Sequence, residues 1–115
     1  MVQSTELPAE QVDVQTEVIS KFFRGLGDPT RVKIIEFLLE GDRSVNELVN
    51  LLGSPQGRVS THLACLRWCG YVSSYKNGRN VFYRVDDQRV KDILRLAKEM
   101  IFENAQRIIC CNIIR

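Results

Sequence analysis

Histidine is almost missing from this chain: His62 is the only one in 115 residues. With four cysteines present, that leaves no base to activate each thiol, so Cys–His nucleophilic catalysis is not expected. No phosphate-binding glycine loop and no C-x-x-C redox pair occurs either, and an enzyme is not expected. No apolar run is long enough to cross a membrane. The first residues, Met1 to Gln11, are polar and acidic and lack a signal-peptide pattern. The expectation is a cytoplasmic protein with no membrane partner, in a compartment where thiols stay reduced. Charge of one sign is also scarce: 16 Lys and Arg stand against 14 Asp and Glu, a net charge of +2. Bulk charge therefore does not announce a polyanionic partner, and only the placement of the basic residues can.

What is present fits one domain whose hydrophobic fraction of 44% can build a core. A helical domain this small buries only part of its apolar surface alone, which points to a dimer. Helical spacing begins after Glu10, with Val14, Val18, Ile19, Phe22 and Phe23 on one face. Gly25 and Gly27 end that helix. Asp28-Pro29 restarts it, Asp as cap and Pro as first helical residue, and the second helix runs to Gly41. Ser44-Val45-Asn46-Glu47 is a capping box opening a third helix. After Gly53, Ser54-Pro55 opens a fourth, which runs to Cys69 and stops at Gly70. The period then changes. Residues 71–75 and 81–85 are rich in β-branched and aromatic types, and Asn77-Gly78 between them should supply the positive φ angles of a tight hairpin. Asp86 or Asp87 caps a last long helix whose apolar stripe is Val90, Ile93, Leu94, Ala97, Met100 and Ile101. The expected organisation is a flexible tail (1–10), one folded domain (11–106) and a cysteine-containing C-terminal tail (107–115). The fold class is mainly α with a small β-hairpin: a winged helix-turn-helix that dimerises through its N- and C-terminal helices.

That architecture implies a function. The third and fourth helices form a helix-turn-helix, and the fourth would enter the major groove of double-stranded DNA. On a helical wheel Val59, Leu63 and Leu66 share the core face. Gln56, Arg58, Ser60 and Thr61 face away from it, with Ser54 at the helix entrance. Gln and Arg are bidentate readers of adenine and guanine edges, and hydroxyls bind phosphates or bases. His62 fits a DNA or intrahelical hydrogen bond better than a metal. Lys76 and Arg79 flank the hairpin tip, where a wing meets phosphates. Each feature alone also fits a merely solvated surface; their order along the chain favours DNA.

Two cysteines, Cys65 and Cys69, lie four residues apart on this reading helix. Positions i and i+4 have Cβ atoms about 5–6 Å apart, and two sulfurs on one tetrahedral metal stand about 3.8 Å apart given bonds of about 2.3 Å. Ordinary rotamers close that gap. A second pair, Cys110-Cys111, lies near the chain's end. Sulfur selects soft metals. On the wheel Cys65 and Cys69 lie off the core direction, and a nearby Arg58 should favour the thiolate. Core packing and a thiol redox switch are the alternatives. Trp68, also off the core face, should pack on the hairpin or on a neighbouring subunit.

The chain resembles the ArsR/SmtB family of winged-helix metal-sensing repressors. Carrying the resemblance are Leu26-Gly27-Asp28-Pro29-Thr30-Arg31, Glu47-Leu48, Val59-Ser60-Thr61-His62-Leu63, Leu66, Gly70-Tyr71-Val72, and Gly78-Arg79 before Tyr83. The resemblance spans about residues 15–103. It implies a homodimeric repressor that leaves operator DNA when metal binds. Two of the family's metal sites find no match: the stretch Glu47-Leu48-Val49-Asn50-Leu51 has no Cys-x-Cys, and the last helix has no histidine. Cys65 and Cys69 are instead similar to the ligand pair of the cadmium/lead-sensing, CmtR-like branch, which takes a third cysteine from the other subunit's tail. Cys110 falls at the matching place, and Cys111 is an extra thiol beside it. The resemblance thus implies a metal site of Cys65, Cys69 and Cys110, with Cys111 adjoining. Cadmium or lead is the expected effector, and arsenic(III) or mercury the alternative.

Overall fold

The computed structural model describes residues 9–111. Five helices and a small sheet follow in the order α1 (Ala9–Gly25), α2 (Pro29–Glu40), β1 (Arg43–Ser44), α3 (Val45–Leu52), α4 (Gln56–Trp68), β2 (Ser73–Asn77), β3 (Asn80–Arg84) and α5 (Gln88–Ile109). Among these elements no helix is long and apolar enough to cross a membrane.

Local chemistry accounts for most boundaries. The Asp28 carboxylate accepts hydrogen bonds from the backbone N–H of Thr30 (2.9 Å) and Arg31 (3.2 Å), two donors that a helix start leaves without partners. At α3 the capping box closes in both directions: Ser44 Oγ accepts from Glu47 N–H at 3.2 Å, and Glu47 Oε1 accepts from Ser44 N–H at 2.8 Å. Asp87 caps α5 by accepting from Arg89 N–H. The start of α4 differs from expectation. Pro55, not Ser54, occupies the cap position, with no side-chain cap bond. Its extended backbone (φ −61°, ψ 149°) aims its carbonyl at the N–H groups of Arg58 and Val59, both at 3.1 Å.

The core is one cluster. Ile34, Ile35 and Leu38 of α2 meet Leu48 of α3, Val59, Leu63 and Leu66 of α4, Tyr71 and Val72 after it, and Val90 and Leu94 of α5. The wheel of α4 is borne out on its buried face. The last helix divides along its length: Val90 and Leu94 are buried, whereas Met100 and Ile101 of the same stripe are exposed. Helical geometry breaks at Asn104 (φ −122°, ψ 19°), whose amide nitrogen donates to Met100 O at 3.0 Å. Helix then continues to Ile109, past the expected boundary at 107, and Cys110 is its cap.

The wing has one more strand than a hairpin. Arg43 and Ser44 pair antiparallel with Tyr83 and Phe82, giving the order β1-β3-β2. The strands flanking the turn pair up to Asn77 opposite Asn80, so the loop is Gly78-Arg79. Only Gly78 there has positive φ (67°), and Asn77 does not. The expectation that Asn and Gly both supply positive φ is corrected to a turn with glycine at its first central position.

Candidate DNA-reading face and thiol site

Helix α4 presents two candidate surfaces. At its N-terminal half Gln56, Arg58, Ser60 and Thr61 are exposed, while Ser54 and His62 are half-buried. Thr61 Oγ1 donates to Gly57 O at 2.9 Å, one turn back. Arg58, Thr61 and His62 line one open groove together with Asp28, Thr30 and Gly57. Lys76 and Arg79 are exposed at the hairpin tip. The hairpin is held to α4 by Arg67, which donates to Ser74 Oγ at 3.1 Å.

His62 sits in a network that the sequence did not reveal. Its Nδ1 lies 3.2 Å from Arg31 Nη1, and its Nε2 lies 3.8 Å from Asp28 Oδ2. Since an arginine only donates, Nδ1 is the acceptor and the neutral ring carries its proton on Nε2. The rest of the Arg31 fork is bound to the end of α1: Nε donates to Gly25 O at 2.7 Å and Nη2 to Arg24 O at 2.9 Å. These partners are 6, 7 and 31 positions away in sequence, which no local pattern encodes.

The second surface is the thiol pair. Cys65 and Cys69 are both half-buried and within hydrogen-bond reach of each other. The view that they lie clear of the core is corrected for Cys69, which packs against the core cluster. A wheel drawn for one helix cannot show that α1 covers its flank. A Cβ on Gly25 would stand 3.0 Å from Cys69 Sγ and from the Tyr71 ring, so glycine lets α1 approach without pushing either side chain aside. Tyr71 fastens the contact by donating its hydroxyl proton to Phe22 O at 2.6 Å and placing its ring 4.6 Å from that of Phe22. Burial, with the neighbouring thiols, pushes the Tyr71 phenol up to about 12.

The protonation of Cys69 also departs from expectation. Burial raises its thiol above the ordinary value, and the adjoining Cys65 raises it further by charge and by hydrogen bonding. The opposing cation is Arg31, not Arg58, and its pull is the smaller effect. At rest the Cys69 thiol is held towards the protonated form.

Cys110 is exposed at the end of α5 and Cys111 is half-buried. Among the described residues of one chain, no three His, Cys, Asp or Glu side chains converge on a metal-sized point. Cys110 and Cys111 therefore do not complete a site with the Cys65–Cys69 pair of their own chain. Trp68 does not pack on the hairpin as one alternative expected; it is 88% exposed.

Comparison with known proteins agrees with this architecture. Residues 28–74 match the bacterial regulatory protein, arsR family. The chain is 43% identical over 103 residues to a probable mercury resistance operon repressor of Streptomyces lividans, covering 90% of this chain and 82% of that one. It is 36% identical over 78 residues to the HTH-type transcriptional regulator CmtR of Mycobacterium tuberculosis, covering 68% of this chain and 66% of that one. Among solved structures, Rv0081 of M. tuberculosis superimposes with a TM-score of 0.77 at 27% identity, over 84% of this chain and 97% of that one. With its capped α2, its α3–α4 unit and its three-stranded wing, the chain belongs to the arsR family of bacterial transcriptional regulators and is not an enzyme.

Proposed function

We propose that this regulator is a homodimeric repressor, acting in the cytoplasm, that binds operator DNA and leaves it when a soft metal ion binds Cys65 and Cys69. The observation that carries this reading is the thiol pair itself, on the helix that presents Gln56, Arg58, Ser60 and Thr61. Sulfur donors select soft metals over magnesium or calcium. Helical i,i+4 geometry separates Cβ atoms by about 5–6 Å, whereas a disulfide needs about 3.5–4.5 Å. A metal spans such a pair with its sulfurs about 3.8 Å apart; a disulfide would have to distort the helix. This favours metal over a redox switch.

Cys110, with Cys111 beside it, would join from the other subunit, because neither reaches the pair within its own chain. The resemblance to the CmtR-like branch points to cadmium or lead. The relative at 43% identity is named for mercury resistance, and for that reason we place mercury(II) first, with cadmium, lead and arsenic(III) behind it. DNA would be held by Ser54, Gln56, Arg58, Ser60, Thr61 and His62 in the major groove and by Lys76 and Arg79 on phosphates.

The test is a panel of mercury(II), cadmium, lead and arsenite added to reduced protein. Two readings are taken: ultraviolet sulfur-to-metal charge transfer, and release from operator DNA. The reading expects both signals from at least one ion, and their loss in Cys65→Ser and Cys69→Ser. Operator affinity indifferent to every ion in the panel would overturn it.

A further inference from the structure

We propose that Arg31 is the positioning residue that transmits the state of the Cys65–Cys69 pair to the DNA-reading face. The inference rests on the metal-responsive reading above and adds a route within one subunit.

One planar guanidinium holds three acceptors on two elements. Two are carbonyls at the end of α1: that of Gly25, and that of Arg24, which also accepts from the Gly27 N–H at 2.9 Å. The third is His62 Nδ1 on α4. Gly25 is also the residue beside which Cys69 sits: a Cβ there would stand 3.0 Å from Sγ, so the thiol would have to shift to admit one. The Cys69 thiol and the Arg31 fork therefore meet at the same residue, one beside its Cα and the other on its carbonyl. At its other end the fork fixes the His62 ring, which faces the α2 cap Asp28 and lines the groove shared with Arg58 and Thr61.

A ligand on Cys69 would reorient Sγ, which lies beside Gly25 on the side where a Cβ would stand. Displacing Gly25 O pulls on Nε, and a rigid planar fork moves as one body, so Nη1 and His62 follow. A lysine could not do this: its single ammonium is a point charge on a flexible stem and cannot hold three acceptors in a fixed relation.

The experiment uses the full chain with Arg31→Gln and Arg31→Lys. Four quantities are read: thermal midpoint, charge-transfer titration with mercury(II) and with cadmium on DNA-free protein, and operator affinity without and with metal. The parent should show a metal-induced drop in operator affinity of roughly 5–150-fold, the usual range of such couplings. Arg31→Gln should keep the charge-transfer band and its stoichiometry, while the drop falls to within about twofold of no effect. Arg31→Lys, which keeps the charge and serves if the glutamine variant does not fold, should lose most of the drop as well. A merely structural arginine would lower the thermal midpoint and both operator affinities together and leave their ratio at the parent value. That ratio, unchanged in either folded variant, overturns the proposal and leaves coupling to movement of the subunits. A parent chain with no charge-transfer band, or with a band but no release, overturns the metal reading and this assignment with it.

Discussion

At the scale of single residues, the start of α5 carries an acid-sensitive charge pair. Asp87 caps α5 and pairs with Arg89, whose Nη2 lies 2.7 Å from its carboxylate. Hydrogen bonds from the Arg89 side chain and backbone hold the Asp87 carboxyl well below the usual range, at about 2. A carboxyl depressed in the folded state binds a proton less readily than in the unfolded chain. Its contribution to stability is therefore complete above the unfolded value near 3.8 and is lost as pH falls through about 2. Asp87→Asn keeps an acceptor for the Arg89 N–H but no charge. Denaturant melts across that acid range should show a smaller decline for the variant than for the parent. Arg58 carries a different expectation. It is exposed on α4 and its guanidinium fork suits a guanine edge. Arg58→Ala should cost about 1–3 kcal/mol of operator binding and relax base preference at one position. Competition with single-base operator variants measures both; unchanged affinity would mean that α4 enters the groove in another orientation.

At the scale of elements, the wing and the reading helix should fail in different ways. Lys76 and Arg79 stand exposed on a loop whose backbone is set by Gly78. Contacts to phosphate carry no sequence information. Replacing either by Ala should weaken binding to operator and to random DNA alike, and lower the salt slope by about 1. A slope equal to the parent's would take the wing off the DNA. Legibility in the sequence also divides by element. Helices α2, α3 and α5 were readable because Asp28, Ser44 with Glu47, and Asp87 act within a few positions of themselves. The buried face of α4 was readable because Val59, Leu63 and Leu66 obey one period. Strand β1 was not: Arg43 and Ser44 are strand only because Tyr83 and Phe82, some forty positions on, offer them a partner. The thiol pair was visible as spacing. Its packing against Gly25, its raised proton affinity and the Arg31 fork were not, since each depends on where α1 ends in space.

At the scale of the molecule, one chain leaves its two outer helices incomplete. Val14, Val18, Ile19 and Phe23 on α1 are each more than half exposed, as are Met100 and Phe102 on α5, while Ile101 is nearly so. These positions form the apolar stripes that a lone winged helix cannot cover, and scattered exposure does not explain stripes on the same two elements. A second copy, packing α1 and α5 against their counterparts, would bury both. It would also set the two reading helices about one DNA turn apart, near ~34 Å, and bring Cys110 of one subunit towards Cys65 and Cys69 of the other. Metal on such a shared site would tether the end of α5 to the partner's α4 and disturb that spacing. The break at Asn104 lets the last turns of α5 set off at their own angle from the core-bound part. Two variants separate these roles. Met100→Glu places a charge in the apolar stripe of α5 and should shift sedimentation at micromolar concentration from dimer to monomer, with loss of operator affinity. Truncation before Cys110 should leave the dimer and its operator affinity intact but blunt release by metal. A truncated chain released as readily as the full one would remove the tether and confine the site to Cys65 and Cys69. A parent chain that sediments only as monomer without metal would remove the dimer as well.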